Sequence, residues 1–290
     1  MDYIYLDSDE KIEKALVPLS QKKRIAVDFE GEFNLHIYGE HLCLIQIFDG
    51  CDFYLIDPRA EHVTIKGLEA FFSSSVEKVW FDCQSDASLV NKVYGLRIQN
   101  IFDVRVLAEV LGFHGNLKAL EKEFLSLEDD IPKKKNQQAN WLKRPLPEEQ
   151  VEYALEDVHH LLELQEALVA AVKAKGLEKA VEHAMRKATA LKKIKPGWTK
   201  TSGWKRMNAR EKIYARHIWI ARDKIARRFN VPAAWVMDKH LIPSLSADRP
   251  KSEKELIKRL DGVSDRFMRF LYPVLCDELE KADKETAELK

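Results

Sequence analysis

The chain is poor in cysteine: four in 290 residues, Cys43, Cys51, Cys83 and Cys276, with no pair at C-x-x-C spacing. Cys43 and Cys83 lie in apolar stretches, where a reduced core cysteine is the simplest reading. Long apolar runs are missing as well. None approaches the ~20 residues that a membrane-spanning helix needs, and Met1-Asp2-Tyr3 lacks a basic-then-apolar leader. The expectation is a cytoplasmic protein with no membrane partner and no evident obligate protein partner. No segment recurs at a fixed period. Net charge is absent too, with 47 acidic against 47 basic residues.

What is present fits a folded protein. Hydrophobic residues make up 46% and charged residues 32%, enough apolar material for a real core in one large domain or two ordinary ones. The overall neutrality hides a polarity along the chain. Residues 1–60 hold 12 acids and 6 bases, whereas residues 185–230 hold 15 bases and 2 acids. An acidic half joined to a basic segment suits a polyanionic substrate whose reaction uses cations.

The acidic half carries the sharpest feature. In Arg24-Ile25-Ala26-Val27-Asp28-Phe29-Glu30, alternation puts Ile25, Val27 and Phe29 on one face and Ala26, Asp28 and Glu30 on the other. At about 3.3 Å per residue the two carboxylates point the same way roughly 6.6 Å apart. Acids that close repel and lose hydration on burial unless a cation neutralises them. An isolated D-x-E is usually a solvated edge strand; here further acids follow downstream.

Leu42–Phe48 and Phe53–Asp57 read as strands around an Asp49-Gly50 turn, giving an antiparallel meander with the first. A helix is predicted around Lys66–Phe72, a fourth strand over Lys78–Phe81, and helices over Ser85–Tyr94 and Phe102–Leu111. Glu128–Pro147 reads as a long loop containing Lys133-Lys134-Lys135, which either grips substrate or is merely solvated. One long helix is predicted over Glu148–Ala174 on a stripe of Val151, Leu155, Val158, Leu162, Val169 and Val172. Strands mixed with helices indicate an α/β layer fold with a mixed sheet. Pro196-Gly197-Trp198 and Thr201-Ser202-Gly203 mark a linker. Beyond it a stripe of Tyr214, Ile218, Ala221, Ile225 and Phe229 is helical, with Arg216, Arg222, Arg227 and Arg228 off it.

Tyr153 and Asp157 stand four apart on the long helix, hence on one face at its apolar border. A tyrosine there is routine; an aspartate needs a partner. Asp86, just after the fourth strand, taken alone is a first-turn helix acid, and Asp103 taken alone is a cap. Jointly, Asp28, Glu30, Asp86 and Asp157 offer oxygen donors for two hard divalent cations, which can serve an in-line phosphoryl displacement. The hydroxyl of Tyr153 would orient the water.

These residues resemble the ribonuclease D-type 3′-5′ exonucleases, the four-acid-plus-tyrosine branch of the exonuclease superfamily. Val27-Asp28-Phe29-Glu30-Gly31 with Leu42-Cys43-Leu44-Ile45-Gln46-Ile47 is similar to the first signature, and Ile56-Asp57-Pro58 to the next strand. Lys78–Leu89 is similar to the second signature, and Ile101-Phe102-Asp103 to the step after it. Asn140-Trp141-Leu142-Lys143-Arg144-Pro145-Leu146 with Gln150, Tyr153-Ala154 and Asp157-Val158 is similar to the third. The resemblance implies a ribonuclease-H-like fold with Mg²⁺ or Mn²⁺ as cofactors. Asp28 would bridge both ions, Glu30 and Asp157 would hold the one bearing the nucleophilic water, Asp86 would hold the second, and Tyr153 would position the nucleophile. Departures are Gly31 where an aromatic is common, Phe81 in place of a histidine, and Pro147 in place of a Ser or Thr cap. They bear on substrate contacts more than on metal binding, since all five chemical positions are filled. Residues 221–264 resemble the helical HRDC domain shared by RecQ-type helicases and ribonuclease D.

The expected layout is therefore an α/β exonuclease domain over 1–190, a basic linker over 191–207 and a small all-α HRDC-like domain over 208–290. RNA or DNA is the expected partner, with Lys133, Lys134, Lys135, Arg144, Lys192, Lys193, Arg227 and Arg228 as phosphate contacts. Trp198 or Trp204 is a candidate for base stacking, Trp219 for the core, and His159-His160 for the surface. The expected activity is metal-dependent 3′-5′ trimming of RNA, tRNA precursors foremost. The rivals are an exonuclease acting on DNA or short oligonucleotides, and a catalytically silent RNA-binding scaffold of the same fold.

Overall fold

The alternating and helical periods of the sequence become strands and helices in a computed structural model that describes residues 1–127 and 139–289. The described chain forms two compact units: Met1–Glu32 with Glu40–Lys193, and Phe33–Gly39 with Ile194–Lys290. The segment Lys133-Lys134-Lys135 lies outside the described residues.

In the first unit the order is β1 (Ile4–Leu6), α1 (Asp9–Leu19), β2 (Arg24–Phe33), β3 (Glu40–Phe48), β4 (Phe53–Ile56), α2 (Ile65–Ser73), β5 (Glu77–Trp80), α3 (Gln84–Tyr94), β6 (Ile101–Asp103), α4 (Val104–Val110), α5 (Leu117–Leu125), α6 (Glu148–His159), α7 (Leu161–Ala174) and α8 (Glu178–Ala188). Among the described residues the strands form one sheet in the order β1-β4-β3-β2-β5-β6. The β3–β4 pair is antiparallel, with Ile45 opposite Ile56 and Phe48 opposite Phe53. The β1–β4, β2–β5 and β5–β6 pairs are parallel, so the sheet is mixed. β2 is flanked by β3 and β5, and the bland alternative of a solvated edge strand for Asp28 and Glu30 falls away.

The pleat of β2 sorts its residues between two cores. Ile25, Val27 and Phe29 pack with Ile12 and Leu19 of α1, Phe71 and Phe72 of α2, and Leu89 and Val90 of α3. Ala26 faces the other way, toward Leu107 of α4, Leu120 of α5, and Val151, Ala154, Leu155 and Val158 of α6. The result is helix–sheet–helix layering. Each large apolar side chain fully buried in it contributes about 1.5–3 kcal/mol relative to exposure.

The structure differs from the sequence reading in several places. The helix predicted over Phe102–Leu111 begins as β6 and turns helical only at Val104, because Asp103 caps α4 with its carboxylate. The single helix predicted over Glu148–Ala174 is two, broken at His160, whose backbone lies at φ −102°, ψ 3°. His159 is not a surface residue. It is half-buried, with its ring edge-on to Phe48 and Phe53 at 5.6 and 5.4 Å. Finally, residues 194–207 are not a bare linker but fold with the second unit. Gly197–Lys200 and Trp204–Arg206 are short 3-10 helices. Gly197 lies so close to Trp219 that a Cβ would meet the indole at 2.7 Å.

The second unit is helical: α9 (Ala209–Phe229), α10 (Ala233–Val236), α11 (Leu241–Ala247), α12 (Glu253–Arg259) and α13 (Asp265–Ala287). Asn208 and Glu211 form a reciprocal capping box that starts α9. Tyr214, Ile218, Ala221 and Ile225 face Leu271, Leu275 and Leu279 of α13 in its core. Arg222, placed off the stripe by sequence, is buried and donates from Nε to the Met237 carbonyl at 2.6 Å. No helix among the described residues is long and apolar enough to cross a membrane.

Candidate active site

Two elements bring the triad of acids together. β2 presents Asp28 and Glu30 on the face that α6 covers, and α6 presents Tyr153 and Asp157. The ligating oxygens of Asp28, Glu30 and Asp157 all lie within 4.8 Å of one another, and all three residues are half-buried. That is tighter than the roughly 6.6 Å strand repeat alone would give. Burial, then Asp86, Asp157 and Glu30, push the Asp28 carboxyl well above the usual carboxylate range. Burial, Asp157 and Asp86 do the same to Glu30. No basic group stands among those causes. Carboxylate oxygens that converge this closely on burial, each raising its neighbours' pKa, are the donor set that hard divalent cations require, so the residues present fit such ions.

Asp86 stands beside this triad rather than in it. Burial pushes its carboxyl up to about 7, against the pull of a hydrogen bond from Trp80. The donor is the Trp80 Nε1–H, 3.0 Å from Oδ2 of Asp86. The turn that delivers Asp86 is itself pinned. Asp82 adopts φ +62°, and the buried Asp103 carboxylate accepts the N–H groups of Asp82, Cys83 and Arg105, each at 3.0 Å. Asp103 therefore caps α4 and fastens the β5–α3 turn at once.

Tyr153 packs at the margin of the core beside the buried Trp141, ring centroids 6.2 Å apart. Burial and the Asp157 and Glu30 charges raise its hydroxyl far above the ordinary value, and its side chain hydrogen-bonds Asp157. The phenol stays protonated and can hold a water without becoming the base. α6 starts at Glu148 although Pro147 offers no side-chain cap, the Pro147 carbonyl accepting from Gln150 and Val151.

The expected phosphate contacts fare differently. Arg144 is committed within the protein. It grips both oxygens of Asp57, at 2.5 Å from Nε and 2.7 Å from Nη2, and donates to the carbonyls of Cys43, Trp141 and Lys143. The Tyr5 hydroxyl completes the cluster on Asp57 at 2.5 Å. This clamp ties the segment that precedes α6 to the end of β4, a role no local signal in the sequence marks. Lys192 is exposed and donates to Gln84, two residues before Asp86; Lys193 is exposed. In the second unit Arg227 lies over Tyr38, 5.4 Å from the ring, and Arg228 over Phe270 at 5.0 Å, both arginines exposed. Trp204 packs on the helical core, Trp198 is half-buried, and Trp219 lies beneath Arg222.

Two family models match the chain: a 3′-5′ exonuclease over residues 3–173 and an HRDC domain over residues 214–277. Ribonuclease D of Acidiphilium cryptum is 29% identical over 238 residues, covering 79% of this chain and 59% of that protein. Human exosome complex component 10 is 27% identical over 262 residues, covering 83% of this chain and 29% of its own. Escherichia coli RNase D, described as an exoribonuclease involved in structured RNA processing, superposes with a TM-score of 0.76 at 25% identity, over 98% of this chain and 76% of the other. The chain thus spans between roughly a third and three fifths of the length of those two curated relatives. It belongs to the 3′-5′ exonuclease family, in a ribonuclease D-type fold that joins the exonuclease domain to an HRDC domain.

Proposed function

We propose that this chain is a metal-dependent 3′-5′ exoribonuclease that trims the 3′ ends of structured RNA, tRNA precursors being the foremost substrate class. The observation that carries the reading is the convergence of Asp28, Glu30 and Asp157 oxygens within 4.8 Å, with Asp86 and Tyr153 alongside. Asp28, facing the other three acids, would be shared by two divalent cations, Mg²⁺ or Mn²⁺. Glu30 and Asp157 would hold one of them and Asp86 the other. Such ions supply positive charge to the attacking and leaving oxygens of a phosphodiester displacement. Tyr153, kept protonated, orients the attacking water through its hydroxyl. The exposed Lys192, Lys193, Arg227 and Arg228 supply phosphate contacts. The free, buried Cys43 and Cys83 suit a reducing, cytoplasmic setting.

Purified protein incubated with 5′-labelled RNA and Mg²⁺ or Mn²⁺ is expected to give a ladder shortening from the 3′ end, abolished by chelator and by Asp28→Ala. Folded protein that yields no ladder with either ion refutes the activity. Matched DNA and RNA substrates distinguish the sugar preference. Tyr153→Phe is expected to lower kcat by about 10²–10⁴ with binding intact; a change below about threefold removes Tyr153 from the mechanism.

A further inference from the structure

We propose that Trp80 is a positioning residue for Asp86: its indole N–H holds one carboxylate oxygen, so that the other is presented to a divalent cation, and the indole registers whether that cation is bound. The proposal rests on the metal-dependent reading above.

Trp80 ends β5 and has no exposed surface. Its ring is fixed by the edge-to-face contact with Phe29, centroids 4.8 Å apart at 84°. Phe29 is the residue between Asp28 and Glu30 on β2, facing the opposite side of the sheet. One indole thus touches the strand that bears the first two acids and the side chain that supplies another. Its single donor is spent on Oδ2 of Asp86 at 3.0 Å.

An aspartate left to itself has a broad, two-fold torsion at its carboxylate. A hydrogen bond from a ring that cannot move removes that freedom and fixes the carboxylate plane. Carboxylate oxygens have about four lone-pair sites between them, so Oδ1 keeps its full donor capacity. A partner behind a metal ligand orients it, and losing such a partner costs about 10–100-fold in metal affinity or activity. A purely structural Trp80 would leave the cation-binding constants where they are.

The test uses the full chain, stripped with chelator. Mn²⁺ binding is followed by electron paramagnetic resonance in wild type and Trp80→Phe, with folding checked by circular dichroism. In parallel the indole ¹⁵N–H resonances of the six tryptophans are followed during a Mg²⁺ titration. One Mn²⁺ affinity is expected to fall by about 10–100-fold in Trp80→Phe. The Trp80 indole resonance, assigned by its loss in that variant or by selective labelling, is expected to move with Mg²⁺ in wild type. In Asp86→Asn, where an acceptor remains for the indole, it is expected to stay still. Unchanged Mn²⁺ affinities in a folded Trp80→Phe, or a stationary Trp80 resonance in wild type that demonstrably binds Mg²⁺, overturns the positioning role and leaves the cluster's reading standing. Wild type that binds no Mn²⁺ overturns both. Should Trp80→Phe fail to fold, the wild-type titration decides.

Discussion

Asp86→Asn is expected to stabilise the metal-free protein. The replacement keeps an oxygen for the Trp80 indole and removes only the charge. In the folded state the Asp86 carboxyl is pushed from its ordinary 3.8 up to about 7, first by burial. Since the folded value is raised, the charged form costs stability: nothing well below pH 3.8, and the full amount above about pH 7. At 1.36 kcal/mol per pH unit the full cost is about 4 kcal/mol, and near pH 5 it is about 2 kcal/mol. Urea unfolding with chelator should therefore show Asp86→Asn more stable than wild type by as much as about 4 kcal/mol at pH 8, the gain shrinking by about half at pH 5. Added Mg²⁺ should reverse the order, because an ion bound only by the folded state stabilises wild type by mass action. If Asp86→Asn is no more stable than wild type at pH 8 without metal, the argument from the buried Asp86 charge is wrong.

Arg144→Met should cost about 3–5 kcal/mol in urea unfolding, since it leaves the buried Asp57 carboxylate without its two-pronged partner. Arg144→Lys should recover only part of that loss, and a loss below about 1 kcal/mol for Met would refute the clamp. Lys78 has no exposed surface and donates to the carbonyls of Ser74, Val76 and Gln99, and burial pushes its amine down to about 8 from 10.5. Its folded value is depressed, so the charged amine costs stability below pH 8 and that cost fades as pH rises toward 10.5. Wild type should gain up to about 3 kcal/mol over that window relative to Lys78→Met. Parallel stability curves for the two proteins would refute it.

The legible parts of this molecule are those with a period. Arg24–Glu30 alternates, so the facing of Asp28 and Glu30 follows from strand geometry, and Tyr153 with Asp157 follows from helix geometry. β6 has three residues and carries no period at all. The α6–α7 break was invisible because the apolar stripe runs on through Leu161 and Leu162, while the backbone departs at His160 alone. The fate of Arg144 lay beyond reach for another reason. Its partner Asp57 is 87 positions away, and nothing in either residue's neighbours distinguishes an arginine awaiting phosphate from one already bound. Trp80 lies within a predicted strand and carries no further signal, since a donor inside a core has no signature until its acceptor is placed.

The treatment of acids within the first unit sharpens the assignment. Asp103 has its carboxylate met by three backbone N–H groups. Asp57 is met by Arg144, Tyr5 and the Arg59 N–H, and Asp49 by Lys22 and the N–H groups of Cys51 and Asp52. Each is buried and each is supplied with donors, as a structural acid must be. Asp28 and Glu30 have other acids as their chief neighbours instead. Folding gains nothing from that arrangement, and with three well-partnered acids in the same unit it is not a failure of the fold to find donors. The same contrast separates Asp86 in the first turn of α3 from Asp103, 17 positions on at the end of β6. One carboxylate is saturated by backbone, the other by a single indole. Only the second keeps an oxygen to give, and that difference supports the proposal that places Asp86, not Asp103, beside the cations.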